Sequence, residues 1–218
     1  MQEKATLKRY GIFLMGVLIC AMGIAFLSRS ALGTSPLSSV SFVLYLSTGV
    51  SAGLYTFACN MFFLAVDVIL TRRFGWMQWL QIPATFVFSL CIDLWLAVIP
   101  TQLNGPISLK VLYLVLGCPI MALGITLEVL ANVTILPGEG IVKTLAAKGG
   151  WEFGNVKVAF DCTLTAIASI IAFLTFGRLN GVGIGTLVSA LAVGQLVKLY
   201  SRCIKRSAAR RAGGGAVQ

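Results

Sequence analysis

Long apolar runs alternate with short polar segments along the whole chain. Six of these runs have about the twenty residues that an α-helix needs to cross the hydrocarbon layer of a membrane. They cover residues 10–27, 54–70, 82–99, 111–131, 158–176 and 182–200. The pattern therefore predicts an all-α membrane protein with six transmembrane helices.

Two polar breaks interrupt the pattern, and each is followed by an apolar segment that is too short to cross a membrane. The first break, at residues 32–36, reads LGTSP, and the second, at residues 136–140, reads LPGEG. Proline is favoured in the first turn of a helix, and a preceding serine or threonine can cap free amides. A helix of about eleven residues spans roughly half of the hydrocarbon layer. We predict two such half-helices, at about 36–46 and 137–147, within re-entrant segments 33–50 and 134–150.

The second half of the chain repeats the first at an offset of 101 residues. The aligned pairs are Gly16 and Gly117, Pro36 and Pro137, Gly49 and Gly150, Asn60 and Asp161 and, after a one-residue shift, Ile82 and Ile184. Residues 10–106 and 107–200 then form two repeats, each with three spans and one re-entrant segment. An odd number of spans inverts the second copy, so we expect the two half-helix tips to meet near mid-membrane.

Composition supports a membrane protein, and charge predicts its orientation. The chain is 58% hydrophobic and 11% charged, with a mean hydropathy of +0.93, whereas soluble domains carry about 25% charged residues. If both termini are cytoplasmic, only Arg29, Lys110 and Arg178 of the 17 basic residues lie outside. Basic residues favour the cytoplasmic side, so residues 1–9 are predicted to form a cytoplasmic leader and residues 201–218 a basic cytoplasmic tail. This explains the net charge of +10 better than nucleic-acid binding does.

Acidic residues are scarce in this chain. A charged side chain inside an apolar run costs free energy in the membrane, so the acidic residues found there are of functional interest. Four of them are candidates for proton or ion coupling, namely Asp93, Glu128, Glu139 and Asp161. Glu139 lies in the first turn after the second break, where a carboxylate can also cap amides. Lys157 lies one helical turn before Asp161, on the same face. Asp67, by contrast, is expected to pair locally with Arg72 and Arg73 at the membrane interface.

A central binding site between the two half-helix tips follows from this architecture. Free backbone amides and the positive ends of both helices would attract an anionic or zwitterionic small molecule. The predicted substrate-binding residues are Thr34, Ser35, Pro36, Ser38, Asn60, Pro137, Gly138, Glu139, Lys157 and Asp161.

Signatures of enzymes and of metal sites are missing from the sequence. It contains no histidine, and its six cysteines form no CxxC pair. It also lacks the GxSxG, HExxH and Walker A motifs. We therefore expect neither an enzyme, nor a bound metal, nor a cofactor.

The breaks and two further stretches are similar to those of a known family. They are ALGTSP at residues 31–36, LPGEGIVK at 136–143, KVAFD at 157–161 and GIGTL at 183–187. Over residues 10–200 the chain resembles the YczE/YyaS/YitT group of bacterial membrane proteins. Many members have Gly-Pro-x-Asp at the second break, where this chain has Pro137-Gly138-Glu139. The resemblance implies a location in the bacterial inner membrane and a role in transport.

Two functions from different classes fit the sequence. The first is a transporter or channel for a small solute or ion. The second is a membrane adaptor or substrate-capturing subunit, similar to those of energy-coupling-factor importers, that works with a partner complex. In either case the lipid bilayer is a partner, and the small residues in spans 10–27 and 182–200 would permit a homodimer.

Overall fold

The computed structural model describes the backbone of residues 2–213 and the side chains of residues 7–204. Within these residues the chain forms eight α-helices and no strand, as predicted for an all-α protein. The helices are α1 (Gln2–Arg29), α2 (Pro36–Thr48), α3 (Ala52–Thr71), α4 (Trp76–Val98), α5 (Ile107–Ala131), α6 (Pro137–Gly149), α7 (Phe153–Phe176) and α8 (Ile184–Gly213). The predicted leader continues into α1 and most of the predicted tail into α8, while Met1 and residues 214–218 lie outside the described residues.

Six of the helices are long and apolar enough to cross a membrane, which confirms the predicted number of spans. The other two, α2 and α6, have 13 residues each and are therefore about 20 Å long. Both run two residues beyond the predicted ends. Each ends at a glycine in the left-handed region, Gly49 with φ 73° and Gly150 with φ 65°, a conformation that stops a helix and suits glycine.

The core of the protein is the crossing of α1 and α5. A Cβ atom at Gly23 would collide with the backbone nitrogen of Met121, and one at Gly124 would collide with the backbone nitrogen of Cys20. The two backbones therefore touch at these glycines, and no side chain fits between them. Later residues of α1 face earlier residues of α5, so the helices are antiparallel.

The other helices are arranged in two groups around this crossing. In the first group, α4 packs on α1 and α8 packs on α5. In the second group, α2 and α6 each pack against both α3 and α7. Contacts between α3 and α4 and between α2 and α8 join the groups. The two short helices therefore lie among long helices on more than one side.

The spacing of the helices agrees with the predicted repeat over the first part of each half. The starts of α2 and α6, and those of α3 and α7, lie 101 residues apart. Beyond α3 and α7 the helix boundaries no longer share this offset, because Ile184 begins α8 whereas Ile82, its predicted counterpart, lies inside α4. The starts of α4 and α8 are 108 residues apart, since α7 and the connection that follows it are both longer than their counterparts.

We predict that Gly23→Ala lowers the stability of the protein by about 1–3 kcal/mol, because the new methyl group overpacks a contact between two backbones. For a chain of this size the midpoint of thermal unfolding falls by about 2–4 °C per kcal/mol. The matched control is Gly11→Ala in the same helix, where a Cβ meets nothing within 4 Å. Equal midpoints for the two variants would contradict the proposed role of the crossing.

Candidate functional site

Each short helix is preceded by a segment that is anchored to a long helix of the other half of the chain. Before α2, the carbonyl of Leu32 accepts a hydrogen bond of 2.8 Å from the amide of Gly185 in α8. Before α6, the side-chain amide of Gln81 in α4 donates a bond of 2.8 Å to the carbonyl of Ile135. These bonds satisfy polar backbone groups outside the helices, which a membrane interior requires.

The start of α2 is capped as the sequence predicted. Ser35 is the N-cap, and its hydroxyl accepts a hydrogen bond of 3.4 Å from the amide of Ser38. Thr34 is fully buried and its hydroxyl lies 2.8 Å from that of Ser28. Pro36 follows as the first helical residue. The α2 tip is therefore a buried polar cluster.

The start of α6 differs from the prediction of free amides. The amide of Gly138 donates a hydrogen bond of 3.2 Å to the Oδ1 atom of Asn60 in α3. The amides of Glu139 and Gly140 donate to the carbonyl of Leu136, at 3.0 and 2.9 Å. The expectation of unpaired amides at this tip is thus wrong, because a side chain of α3 and the first turn itself supply the acceptors.

The first turns of the two short helices are in contact. The Leu37 side chain of α2 lies over Gly138 of α6, with its Cδ1 atom 2.8 Å from the position that a Cβ at residue 138 would occupy. The tips therefore meet, as expected from the sequence. An apolar side chain fills the contact, and the charged groups lie beside it.

A cluster of three charged side chains joins α6 to α7. The Lys157 ammonium lies 3.0 Å from a carboxylate oxygen of Glu139 and 3.0 Å from one of Asp161. The side chains of Lys157, Glu139 and Asp161 are 25%, 31% and 15% exposed. Lys157 and Asp161 share one helix face, as predicted, and form an ion pair there, whereas Glu139 binds Lys157 instead of capping α6. We call these three residues the charged cluster.

The other two acidic candidates lie in different surroundings. Asp93 holds the start of α3, where its carboxylate accepts hydrogen bonds from the amide of Gly53, at 2.8 Å, and from the hydroxyl of Ser51. Glu128 is 8% exposed and lies in the crossing of α1 and α5, where a Cβ at Gly16 would be 2.9 Å from its Cγ atom. Its Oε1 atom has no hydrogen-bond partner among the described residues.

The predicted site residues therefore fall into three neighbouring groups. The first group lies at the α2 tip. The second group lies at the hydrogen bond between α3 and α6, and the third group is the charged cluster. In that order the members are Thr34, Ser35, Pro36 and Ser38, then Asn60, Pro137 and Gly138, and finally Glu139, Lys157 and Asp161. Within the described side chains, no three His, Cys, Asp or Glu residues come together to hold a metal ion.

Two anchoring contacts could not be inferred from the sequence. Asp67, 6% exposed, accepts a hydrogen bond from the hydroxyl of Thr144 and so ties α3 to α6. The expected ion pairs of Asp67 with the following arginines are absent from the described residues. Arg9 donates to the carbonyls of Ala131 and Asn132, at 2.9 and 3.0 Å, at the end of α5. Both contacts join residues far apart in the chain, and no local pattern indicates them.

Comparison with known proteins gives a family but no activity. The model of a family of unknown function, DUF6198, matches residues 7–202. The uncharacterized protein YyaS of Bacillus subtilis is 26% identical over 201 residues, which cover 91% of this chain and 94% of that protein. The uncharacterized membrane protein YczE of the same organism is 22% identical over 194 residues, 87% of this chain and 84% of that one. No solved structure matches. These relatives confirm the resemblance to the YczE/YyaS group.

We predict that Asn60→Leu destabilises the protein by about 1–3 kcal/mol, because it leaves the buried amide of Gly138 without an acceptor. Thr56→Val, one turn earlier in α3, is the matched control. Thr56 is about as buried as Asn60, and among the described residues its hydroxyl bonds only to its own helix, at the carbonyl of Ala52. Thermal unfolding of the purified variants measures the difference, and a control that is as destabilised as Asn60→Leu would contradict the capping role.

Proposed function

The chain belongs to the DUF6198 family, and we propose that it is a membrane transporter for a small zwitterionic solute. In this proposal the chain consists of two inverted repeats. Each repeat contains three spans and one re-entrant half-helix, α2 in the first repeat and α6 in the second. The solute binds beside the two helix tips, at the charged cluster. The main support comes from Lys157, whose ammonium forms ion pairs with two carboxylates next to the point where α2 and α6 meet.

The inverted repeat is supported by the crossing of α1 and α5. Gly23 and Gly124 are 101 residues apart, the offset of the repeat, and each is the point where one helix touches the backbone of the other. Equivalent helices that cross antiparallel at equivalent residues fit a two-fold axis through the crossing. Leu37 and Gly138 are also 101 residues apart and in contact, which fits the same axis at the helix tips. In transporters, such an axis in the membrane plane accompanies a central substrate site.

The re-entrant character of α2 and α6 is supported by their length and surroundings. At about 20 Å, each is shorter than the hydrocarbon layer of about 30 Å. The residues before each helix bond to a long helix of the opposite half. Irregular backbone at membrane depth is tolerated where protein or water satisfies it, and paired broken helices mark substrate sites in several transporter folds.

The composition of the charged cluster favours a zwitterion over a simple anion. One ammonium faces two carboxylates, so the ionised cluster carries an excess negative charge. Charges inside membrane proteins are expensive, and a purely structural ion pair needs one acid and not two. A solute with an ammonium and a carboxylate would use both kinds of partner, because its ammonium balances the excess acid and its carboxylate approaches Lys157.

The protein is proposed to lie in the bacterial inner membrane with both termini in the cytoplasm. The six apolar helices and the relative named as a membrane protein make this a multi-pass membrane protein. The distribution of basic residues supports cytoplasmic termini, and the family resemblance supports the bacterial inner membrane. The absence of catalytic motifs in the sequence favours transport over an enzymatic role.

A screen of thermal stability tests the proposal. We expect zwitterionic solutes to stabilise the detergent-purified protein, by about 2.7 kcal/mol at a hundred times the dissociation constant. Matched acids without the ammonium and amines without the carboxylate should stabilise it much less. Lys157→Met and Glu139→Gln should each abolish the shift, whereas Lys148→Met, at an exposed lysine in the last turn of α6, should retain it.

Uptake of the best compound into proteoliposomes then separates transport from binding. Uptake by the isolated protein supports the transporter. Binding without uptake, or no stabilisation by any compound although the protein is folded, would contradict it. Either result would favour the adaptor, which should then co-purify with a partner complex.

A further inference from the structure

A row of four polar side chains follows one face of α4. Gln81, Thr85, Ser89 and Asp93 are spaced by four residues, and side chains at that spacing are neighbours on a helix surface. The row is about 18 Å long. It is separate from the three groups of predicted site residues, although Asp93 was a coupling candidate.

Three members of the row are buried, and each has a polar atom without a hydrogen-bond partner among the described residues. Gln81, Thr85 and Ser89 are 7%, 0% and 5% exposed. The Oε1 atom of Gln81 and both hydroxyl oxygens have no hydrogen-bond partner among the described residues. Buried polar groups are nearly always hydrogen-bonded, so three exceptions in consecutive positions of one row require an explanation.

The two hydroxyl groups also differ from other buried hydroxyl groups of the same protein. Thr56 donates to the carbonyl of Ala52, and Thr126 to the carbonyl of Ala122, each four residues earlier. This bond within the helix is the usual solution for threonine in an apolar environment. Thr85 and Ser89 do not make it, and their hydroxyl groups remain available to another partner.

The row connects two polar places on the molecule. At one end, Asp93 is half-buried and contacts Ser51 in the exposed turn before α3. At the other end, Gln81 bonds to Ile135, and its Nε2 atom lies 3.4 Å from the position of a Cβ at Gly140, in the first turn of α6. A path along the row would therefore lead from a membrane face to the α6 tip.

We propose that the α4 row lines a water-filled path from the Asp93 end of α4 to the first turn of α6. Side chains four residues apart are separated by about 5–6 Å, and two successive hydrogen bonds through one water molecule cover about the same distance. A file of water molecules would thus partner each free oxygen in turn. The role of this path, which is to give water access to the site, rests on the proposed transport function. The presence of water along the row does not depend on that function.

Reaction with silver ions tests for water along the row. Ag⁺ is about as small as a water molecule, reacts with thiols and is excluded from hydrocarbon by its charge. Thr85→Cys and Ser89→Cys are made in the otherwise native chain. After exposure to Ag⁺, the remaining free thiols are alkylated in denaturant and quantified site by site by mass spectrometry.

Cys91 is the internal reference in each variant. It lies on the same helix, 8% exposed in the apolar core, two residues beyond Ser89 and so on another face. Thr126→Cys is a second control, at a buried threonine outside the row. Unchanged reaction rates at Cys91 and Cys118 relative to the unmodified chain show that a variant is folded.

We expect the thiols at positions 85 and 89 to react at least tenfold faster than Cys91 in the same molecule, and the thiol at position 126 to react as slowly as Cys91. Rates at 85 and 89 equal to that of Cys91 would overturn the proposal and show that the row is dry. Because the readout involves no solute, this failure is distinct from a failure of the transport function, which the ligand screen reports.

Discussion

The close contact between α1 and α5 is the constraint on which the rest of the structure depends. Two glycines, Gly23 and Gly124, let the helix backbones touch, and even a methyl group at either position would meet backbone atoms. Lipid offers no hydrophobic driving force between helices, so close van der Waals packing has to hold them together. Because both helices end next to a break, this contact also determines where the two short helices begin.

The short helices are held by polar contacts that depend on this arrangement. Asn60 supplies the acceptor for the amide of Gly138, and Asp67 accepts a bond from Thr144. Both bonds tie α6 to α3, while the pairing of Lys157 with Glu139 ties it to α7. A polar group buried in a membrane protein without a partner costs several kcal/mol, so these contacts fix the position of α6 and place the charged cluster beside the tips.

The predictions from sequence were accurate where the physical cause is local. Runs of apolar residues predicted the six spans. The proline and glycine residues at the breaks predicted that α2 and α6 exist and where they begin. The prediction of free amides at the α6 tip was wrong because their acceptors include Asn60, 78 residues away. The starts of α4 and α8 are 108 residues apart instead of 101, because α7 and the connection after it are longer than their counterparts.

The sequence by itself determined the all-helical membrane architecture, the two breaks and the placement of Lys157 and Asp161 on one face of a helix. These features follow from hydrophobicity, from backbone restrictions of glycine and proline, and from the spacing of side chains on one helix. The tertiary structure alone decided that Glu139 pairs with Lys157 and that Leu37 fills the space over Gly138. It also decided that the hydroxyl groups of Thr85 and Ser89 have no hydrogen-bond partner in the part of the chain that the structure describes. Each of these depends on which surfaces of distant helices meet, and a local pattern of residues does not contain that information.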